Sequence, residues 1–541
     1  MRSGTTILRI CFIFGLTLIM TAALGCGGDG GGGGGGADTT APQVSSVAPA
    51  DGATDITLDA DVSAIFNEAM DATTVNATSM TISPAVAGAV SYDAAAQRAT
   101  FSPTVSLTAS TTYTVTLTTG CTDAAGNPLT ADYSWSFTTG TTAVNEWTQV
   151  GGQVSPAGAE SEDPTMMIVS DSPAVGYRHA SFEVNLNRWN GSAWGTPVAD
   201  PSGGNSNSSI YHAPAFCSSG STIYMAYSHA GVSGSPGEAF YDRIFVYQWT
   251  VGGGYSIMNG GSEVSVPWNA AVGGADANEP AIGCYDGELP WVSWEEYDAA
   301  SATNEDHAWV AEMTASGSNR TGPIDRNSGA GSYSTDVRTV GVLQDSGGCA
   351  YVAQWESHHN EQDETDLYVS YTCGGSATAL GGAVTDDWDY NNLSKPSMAW
   401  YDGKLHIAYT RANETDYTKH VYVKCYSGGT WTTVGGGPVS AFSAADHYDS
   451  ANPDLIVADG TLYVAWEESD QYDGPFIYVA YYDPATTAWI IDGDQLNVNT
   501  AYAAQDPSLG YNANDGYLYV SFEENTDGWP HIFVKRKRHI P

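Results

Sequence analysis

Hydrophobic and polar positions alternate in short runs through most of the chain, which is the period of half-buried strands and not of helices. From about Asn145 the alternation is organised into a repeating unit. Each unit opens with a short strand beginning near a proline, then a turn that often carries Asp-Gly. A strand of the form Leu-Tyr-Val-Ala-Trp-Glu follows, then a polar loop and a strand of the form Ile-Tyr-Val-Ala-Tyr. A fourth strand, beginning at tryptophan, often completes the unit. The clearest copy runs through Asn452-Pro453, Asp459-Gly460, Leu462 to Glu468, Phe476 to Tyr482 and Trp489. Anchors at Pro164, Pro214, Pro280, Val337, Pro396, Pro453 and Pro507 mark seven units spaced 50 to 66 residues apart. Four-stranded blades with variable loops fit that spacing, so a seven-bladed β-propeller is expected over residues 145–541. A stacked solenoid fits less well, because its edges would stay open and its end repeats would be atypical caps. The last unit stops after its third strand, Ile532-Phe533-Val534-Lys535, while Trp147-Thr148-Gln149-Val150 stands unused before the first. Fourth strands elsewhere begin at Trp194, Trp431 and Trp489. Pairing the two chain ends would close the ring and remove a free edge.

Residues 38–140 read as a separate β-sandwich. Tyr113-Val115-Leu117 and Tyr133-Trp135-Phe137 alternate with polar residues, and Asp51-Gly52 and Gly126-Asn127-Pro128 supply turns. Pro42-x-Val44 with Pro49-x-Asp51-Gly52-Ala53 and Phe66-Asn67-Glu68-Ala69-Met70-Asp71 form one part of a recognisable pattern. Phe101-Ser102-Pro103, Tyr113-Thr114-Val115, Asp123-Ala124-Ala125-Gly126-Asn127 and Trp135-Ser136-Phe137-Thr138-Thr139 complete it. The segment resembles the SbsA-type bacterial Ig-like domain. That resemblance implies a spacer or adhesion module on an exported protein, not chemistry. Asp71 and Asp123 read as turn formers ahead of calcium ligands.

The chain of 541 residues carries 61 Gly, 24 Pro and only 15% charged residues, as many short strands joined by turns require. A formal net charge of −43 excludes nucleic-acid binding, which needs clustered lysines and arginines. Met1 to Arg9 is basic and Ile10 to Ala23 apolar, the length of a signal peptide and not of a span. Ala23-Leu24-Gly25-Cys26 resembles the lipobox of bacterial lipoproteins, with Ala23 where the family usually has leucine. The resemblance implies removal of residues 1–25 and acylation of Cys26, followed by a glycine-rich tether over 26–37. The expected location is the bacterial cell envelope, exposed to periplasm or surface, with membrane contact through the lipid alone.

Export places the cysteines in an oxidising compartment. If Trp355 faces Leu367 across a hairpin, Cys349 faces Cys373. Cys217 and Cys284 occupy nearly equivalent places in successive repeats and form a second candidate pair, whereas Cys121 and Cys425 have no evident mates. The spacings of zinc and haem motifs are absent.

In a propeller the loops joining strands two and three share a face with the blade-to-blade loops. The former include Asn304-Glu305-Asp306-His307, Glu361-Gln362-Asp363-Glu364, Asn413-Glu414-Thr415-Asp416 and Asp470-Gln471-Tyr472-Asp473; the latter bring Tyr211-His212, Trp268, Trp388-Asp389-Tyr390 and Asp446-His447-Tyr448. The residues just after the strand-two aromatic form a ring on that rim: Arg178-His179, Ser228-His229, Glu295-Glu296, Glu356-Ser357, Thr410-Arg411, Glu467-Glu468 and Glu523-Glu524. The candidate ligand-binding residues are Arg178, His179, His229, Glu295, Glu296, Glu356, Trp388, Arg411, His447, Tyr448, Glu467, Glu468 and Glu523. A repeated Glu has a plainer reading too, as a cap on its neighbour's backbone. His358-His359 read as solvated, and with 18 Lys and Arg in all and no Ser-x-Asp-x-Gly-x-Thr-Trp turn the chain lacks sialidase equipment. No catalytic residue is assigned.

Aromatic faces stack on sugar rings and carboxylates accept sugar hydroxyls. The expected function is therefore that of an anchored surface protein binding a glycan or a protein ligand, with no cofactor required. Calcium is a candidate helper because loop oxygens are plentiful, although no Asp-x-Asp-x-Asp-Gly loop occurs. The rival is an exported glycoside hydrolase or lyase using paired rim carboxylates.

Overall fold

The computed structural model describes residues 38–538, apart from 57, 59, 95, 104–106, 141–145, 159, 180–182, 197–212, 231–241, 252–254, 259–276, 299–304, 315–316, 323, 325–336, 358–363, 386–388, 391–393, 413–417, 443–446, 471–473 and 527. Among the described residues every regular element is a strand. The expected leader over 1–25, the expected acylation site Cys26 and the expected tether over 26–37 lie outside them.

The first unit is a sandwich of two four-stranded sheets. The alternating residues Tyr113, Val115, Leu117, Trp135 and Phe137 all point inward, against Val62, Phe66 and Phe101 of the opposite sheet. Asp71 accepts hydrogen bonds from the Thr73 amide and hydroxyl at 2.9 and 2.8 Å. Asp123 accepts from the amides of Ala125 and Asn127, each at 2.8 Å. Both carboxylates fasten turns.

Seven antiparallel sheets then follow the seven repeats in order. Each packs on the next through its own core, because strands buried on both faces must find a partner on each side. Met167 and Leu186 of the first sheet meet Phe216 and Tyr247 of the second; Trp291 and Val310 of the third meet Val352 of the fourth. The last such core joins Tyr519 and Val534 of the seventh sheet to Met166 and Tyr177 of the first. This is a seven-bladed β-propeller. Its seventh sheet takes its fourth strand from before the first repeat, with Gln149 opposite Lys535 and Thr148 opposite Arg536. Beyond that strand the Val150 amide donates to the Val534 carbonyl at 2.9 Å.

The outer tryptophans fix one blade against another. Trp489 Nε1 donates to the Val434 carbonyl of the preceding blade at 3.1 Å, and Trp147 Nε1 donates in the same way to Asp492 at 2.9 Å. Trp194 donates to Val150 at 2.8 Å. Contrary to expectation, among the described residues Trp194 opens no regular fourth strand and forms a single bridge to Trp189. The cause is local: Asn190 Oδ1 takes the amides of Ser192 and Ala193, and the resulting tight turn leaves no room for a ladder.

Trp355 does face Leu367, and Cys349 is joined to Cys373 by a disulfide with Cα atoms 4.2 Å apart. Cys217 and Cys284 form a second disulfide, which ties the second blade to the third. Cys121 and Cys425 are free thiols.

Candidate functional site

Strand geometry sorts the ring of residues after each strand-two aromatic. The aromatics themselves, Tyr177, Tyr227, Trp294, Trp355, Tyr409, Trp466 and Phe522, are fully buried between blades. Successive side chains point to opposite faces, so the residue two places on returns to the aromatic's side. There Glu468 accepts from Trp466 Nε1 at 2.7 Å and from the Ala441 amide at 2.8 Å. Glu524 accepts from the amides of Val498 and Asn499 at 2.6 and 2.9 Å. Glu296 takes Trp294 Nε1 at 3.1 Å and Arg320 Nη2 at 2.8 Å. His179 Nδ1 lies 2.8 Å from Ser161 Oγ. Glu468 and Glu524 therefore hold the incoming blade-to-blade connections, the plainer role weighed for the repeated Glu. Glu356 is also buried, and it accepts from Gln354 Nε2 at 2.7 Å.

In blade four the aromatic Trp355 packs toward blade five, so Glu356, one place on, takes the structural position; in blades six, seven and one the residue one place after the aromatic turns the other way. There Glu467, Glu523 and Arg178 meet the beginnings of the first strands. Those strands carry a repeated bulge, between Glu162 and Thr165, Asn278 and Ala281, Ala451 and Asp454, and Gln505 and Ser508. At each bulge the residue before the anchor proline has positive φ: Asp163 at 55°, Glu279 at 45°, Asn452 at 47° and Asp506 at 50°. A non-glycine residue in that region, followed by proline, is strained and needs outside support. Glu467 supplies it at Asp506 by accepting its amide at 3.0 Å, and Asn452 Nδ2 donates to Asp506 Oδ1 at 2.7 Å. Arg178 holds Asp163 at 2.9 Å and pairs with Glu162 as well.

Between the first strands lies a cavity of about 310 Å³, within the range of small-ligand sites. Its polar wall includes Asp163, Lys395, Asn452, Asp454 and Asp506. Asp454 accepts from Ser397 Oγ and the Leu509 amide, both at 2.7 Å, so one carboxylate bridges three blades. Glu162, Glu467 and Glu523 lie around Asp163 and Asp506, the two of this group that line the cavity.

Burial dominates the electrostatics here. It raises Glu523 to about 9, with Asp506, Asp163, Glu162 and Glu467 adding like-charge repulsion. Burial and Glu467 raise Asp506 to about 8, against a small pull from Lys395. Burial also lifts Glu162, Glu467 and Asp454. Glu523 is only 8% exposed, and its Oε2 is enclosed without a hydrogen-bond partner.

Two exposed aromatics stand on the same face. Tyr502 lies in the connection entering blade seven and Trp529 in that blade's strand-two-to-three loop, at 39% and 49% exposure. The Asn525 amide bonds the Ala503 carbonyl at 3.3 Å and draws the two loops together.

The structure thus brings together Arg178, Glu467 and Glu523 of the residues singled out in the sequence, and sets Glu296, Glu356, Glu468 and His179 into internal hydrogen bonds. Glu295 lies on its second strand opposite Asn278, and Arg411 opposite His420. His229, His447 and Tyr448 lie on strands, but their side chains, like all of Trp388, fall outside the described residues. Asp163, Asp506, Asp454 and Lys395 went unnoticed in the sequence. Their signal was available, since three of the four directly precede an anchor proline and the fourth directly follows one.

Comparison with known proteins adds the following. Residues 38–139 match the bacterial Ig-like domain family. A search of curated protein sequences found no match. Among solved structures the chain is similar to Trypanosoma rangeli sialidase in complex with the inhibitor DANA, at 12% identity and a TM-score of 0.40, over 72% of this chain and 59% of that one. It is also similar to a PL25 ulvan lyase, at 11% identity and a TM-score of 0.47, over 72% of this chain and 95% of that one. The chain spans less than two thirds of the sialidase it matches.

Proposed function

We propose that this is an exported, lipid-anchored envelope protein whose propeller binds a glycan at its acidic mouth, with the Ig-like unit as a spacer and a ring latched by the Thr148–Gln149 strand. One observation carries the reading: a cavity walled in part by Asp163, Asn452, Asp454 and Asp506 lies between the first strands, and Tyr502 and Trp529 are exposed in loops on the face where those strands begin. Carboxylates and an amide accept and donate to sugar hydroxyls, and exposed rings stack on pyranose faces. Binding to a panel of immobilised polysaccharides tests it. Retention on at least one member, reduced by Tyr502→Ala and Trp529→Ala, is the expected result. Retention on none would defeat the glycan reading and leave a protein ligand in its place.

A hydrolase or lyase is the second reading, favoured by one feature. A carboxyl held protonated at neutral pH, Glu523, sits near an arginine-paired carboxylate, Asp163, and such unequal carboxyl pairs serve acid–base chemistry. Release of new reducing or unsaturated chain ends, lost in Glu523→Gln, would establish it over binding alone.

A further inference from the structure

We propose that the cavity between the first strands receives the end of a glycan chain, whose terminal sugar enters with a methyl group foremost and keeps its hydroxyls toward the rim. The inference rests on the glycan reading and names both the part of the chain that is bound and its chemistry.

The first strands of all seven blades line this cavity, from Asp163 in blade one to Leu509 in blade seven. It is therefore walled on every side. Its lining follows each strand for only two to four residues, on the order of 10 Å or less at the usual rise per residue. A polymer can enter such a space by its end but cannot lie across it, as it would in an open groove.

The lining changes character with depth. At the rim stand Asp163, Lys395, Asn452 and Asp506, each directly before the anchor proline of its blade. Three places on, in blades one, five and seven, the lining residues are Met166, Met398 and Leu509. Phe216, Ile282 and Val342 continue the apolar wall through blades two, three and four. Each of these six belongs to a different core between neighbouring blades. Those cores meet at the axis, so the deep end is apolar around most of its circumference.

The lining is also divided from side to side. Every side chain that blades two, three and four contribute is apolar. The polar groups come from blades one, five, six and seven, and they supply both halves of a hydrogen bond: Lys395 and Asn452 donate, while Asp454 and Asp506 accept. A sugar hydroxyl, which does both, is matched there, and the C–H face of the ring is matched on the other side. At the deep end a hydroxymethyl group would give up its bonds to water without replacement, whereas a methyl group would bury apolar surface. A 6-deoxy sugar differs from its parent hexose in that one respect.

NMR titration of the full chain with two matched pairs of methyl glycosides, L-fucose against L-galactose and L-rhamnose against L-mannose, tests the chemistry. In at least one pair the 6-deoxy member should bind at least roughly tenfold more tightly, within the range for a hydroxyl forced into an apolar pocket. Ala213→Trp, at an exposed position of the rim, should abolish that binding with the melting temperature unchanged. Val342→Thr, which sets a hydroxyl on the deep wall, should narrow the preference. A trisaccharide with the favoured sugar at its non-reducing end should bind, and its isomer with that sugar in the middle should not. Equal binding or none within both pairs, or equal binding of the two trisaccharides, would overturn the inference. Polysaccharide retention left intact by Ala213→Trp would place the glycan elsewhere on the propeller, overturning the inference while sparing the glycan reading. Retention of no polysaccharide at all would remove both.

Discussion

Glu523 is an expensive residue for a scaffold to keep. Its ordinary value is 4.5, and burial with four neighbouring carboxylates raises it to about 9 in the folded chain. The neutral form therefore contributes stability that is whole below about 4.5 and is lost as pH rises through about 9. Glu523→Gln removes the titration. Melting followed by circular dichroism should show the variant equal to the parent near pH 4 and higher by several degrees at pH 9, each kcal/mol moving the midpoint by roughly 2 °C or less in a chain above 250 residues. An unchanged difference across that range would mean that the carboxylate is solvated. Arg178 gives the opposite case. Its side chain is 26% exposed and neutralises Glu162 and Asp163 together. Arg178→Ala should cost about 1–3 kcal/mol at pH 8, the range for losing one partner of a half-buried network, and less at pH 5, where Glu162, raised to about 7, is protonated. At this scale the sequence was half legible. The row after each strand-two aromatic was visible, but alternation across the strand divides it into mouth residues such as Glu467 and structural acceptors such as Glu468, and the pair reads identically in one dimension. The bulge residues were hidden for a different reason, because Asp-Pro and Asn-Pro read simply as strand starts.

Among elements, the fourth strands and the glycines beneath them set the spacing between blades. Gly435 has φ +83°, and a Cβ there would lie 2.3 Å from Trp489 Cδ1. Gly151 stands in the same relation to Trp189 and Trp194, and Gly381 to Tyr426. Gly428 also has positive φ, +62°, but nothing lies within 4 Å of a Cβ. The two positions separate packing from backbone strain. Gly428→Ala should cost about 1 kcal/mol, the conformational penalty alone. Gly435→Ala should cost that plus about 1–3 kcal/mol for displacing an indole from its groove, with a matching fall in the midpoint of urea unfolding. Equal costs would show that the tryptophan moves freely. The strands themselves were largely legible, since proline, Asp-Gly and the alternating aromatic run recur in register with the sheets. The first blade's outer edge was not, because Trp194 has the residue type of a strand start while Asn190 dictates a turn. Cys349 and Cys373 were readable from hairpin register, whereas Cys217 and Cys284 needed the placement of two whole blades.

For the whole molecule the decisive contact is the one between its ends. Seven cores follow one another from blade to blade, the last returning to the first. Trp147 occupies the groove of blade six as Trp489 occupies that of blade five. If the short strand at Thr148–Gln149 latches a ring, a covalent bond across it should form readily and stabilise the whole propeller. Gln149 and Lys535 sit directly opposite in the antiparallel ladder, where Cα separations of about 4.5–5.5 Å lie within disulfide reach. Gln149→Cys combined with Lys535→Cys should therefore oxidise to a crosslinked species of altered mobility on a non-reducing gel. By removing the freedom of an unfolded loop of several hundred residues, the bond should add up to about 5 kcal/mol. It should also merge the unfolding of blades one and seven into that of the remaining blades, because neither could then peel from an open edge. An array of sheets with separated ends would leave both cysteines reduced, and the acidic mouth, which draws its carboxylates from blades six, seven and one, would have no fixed shape in which to hold a ligand.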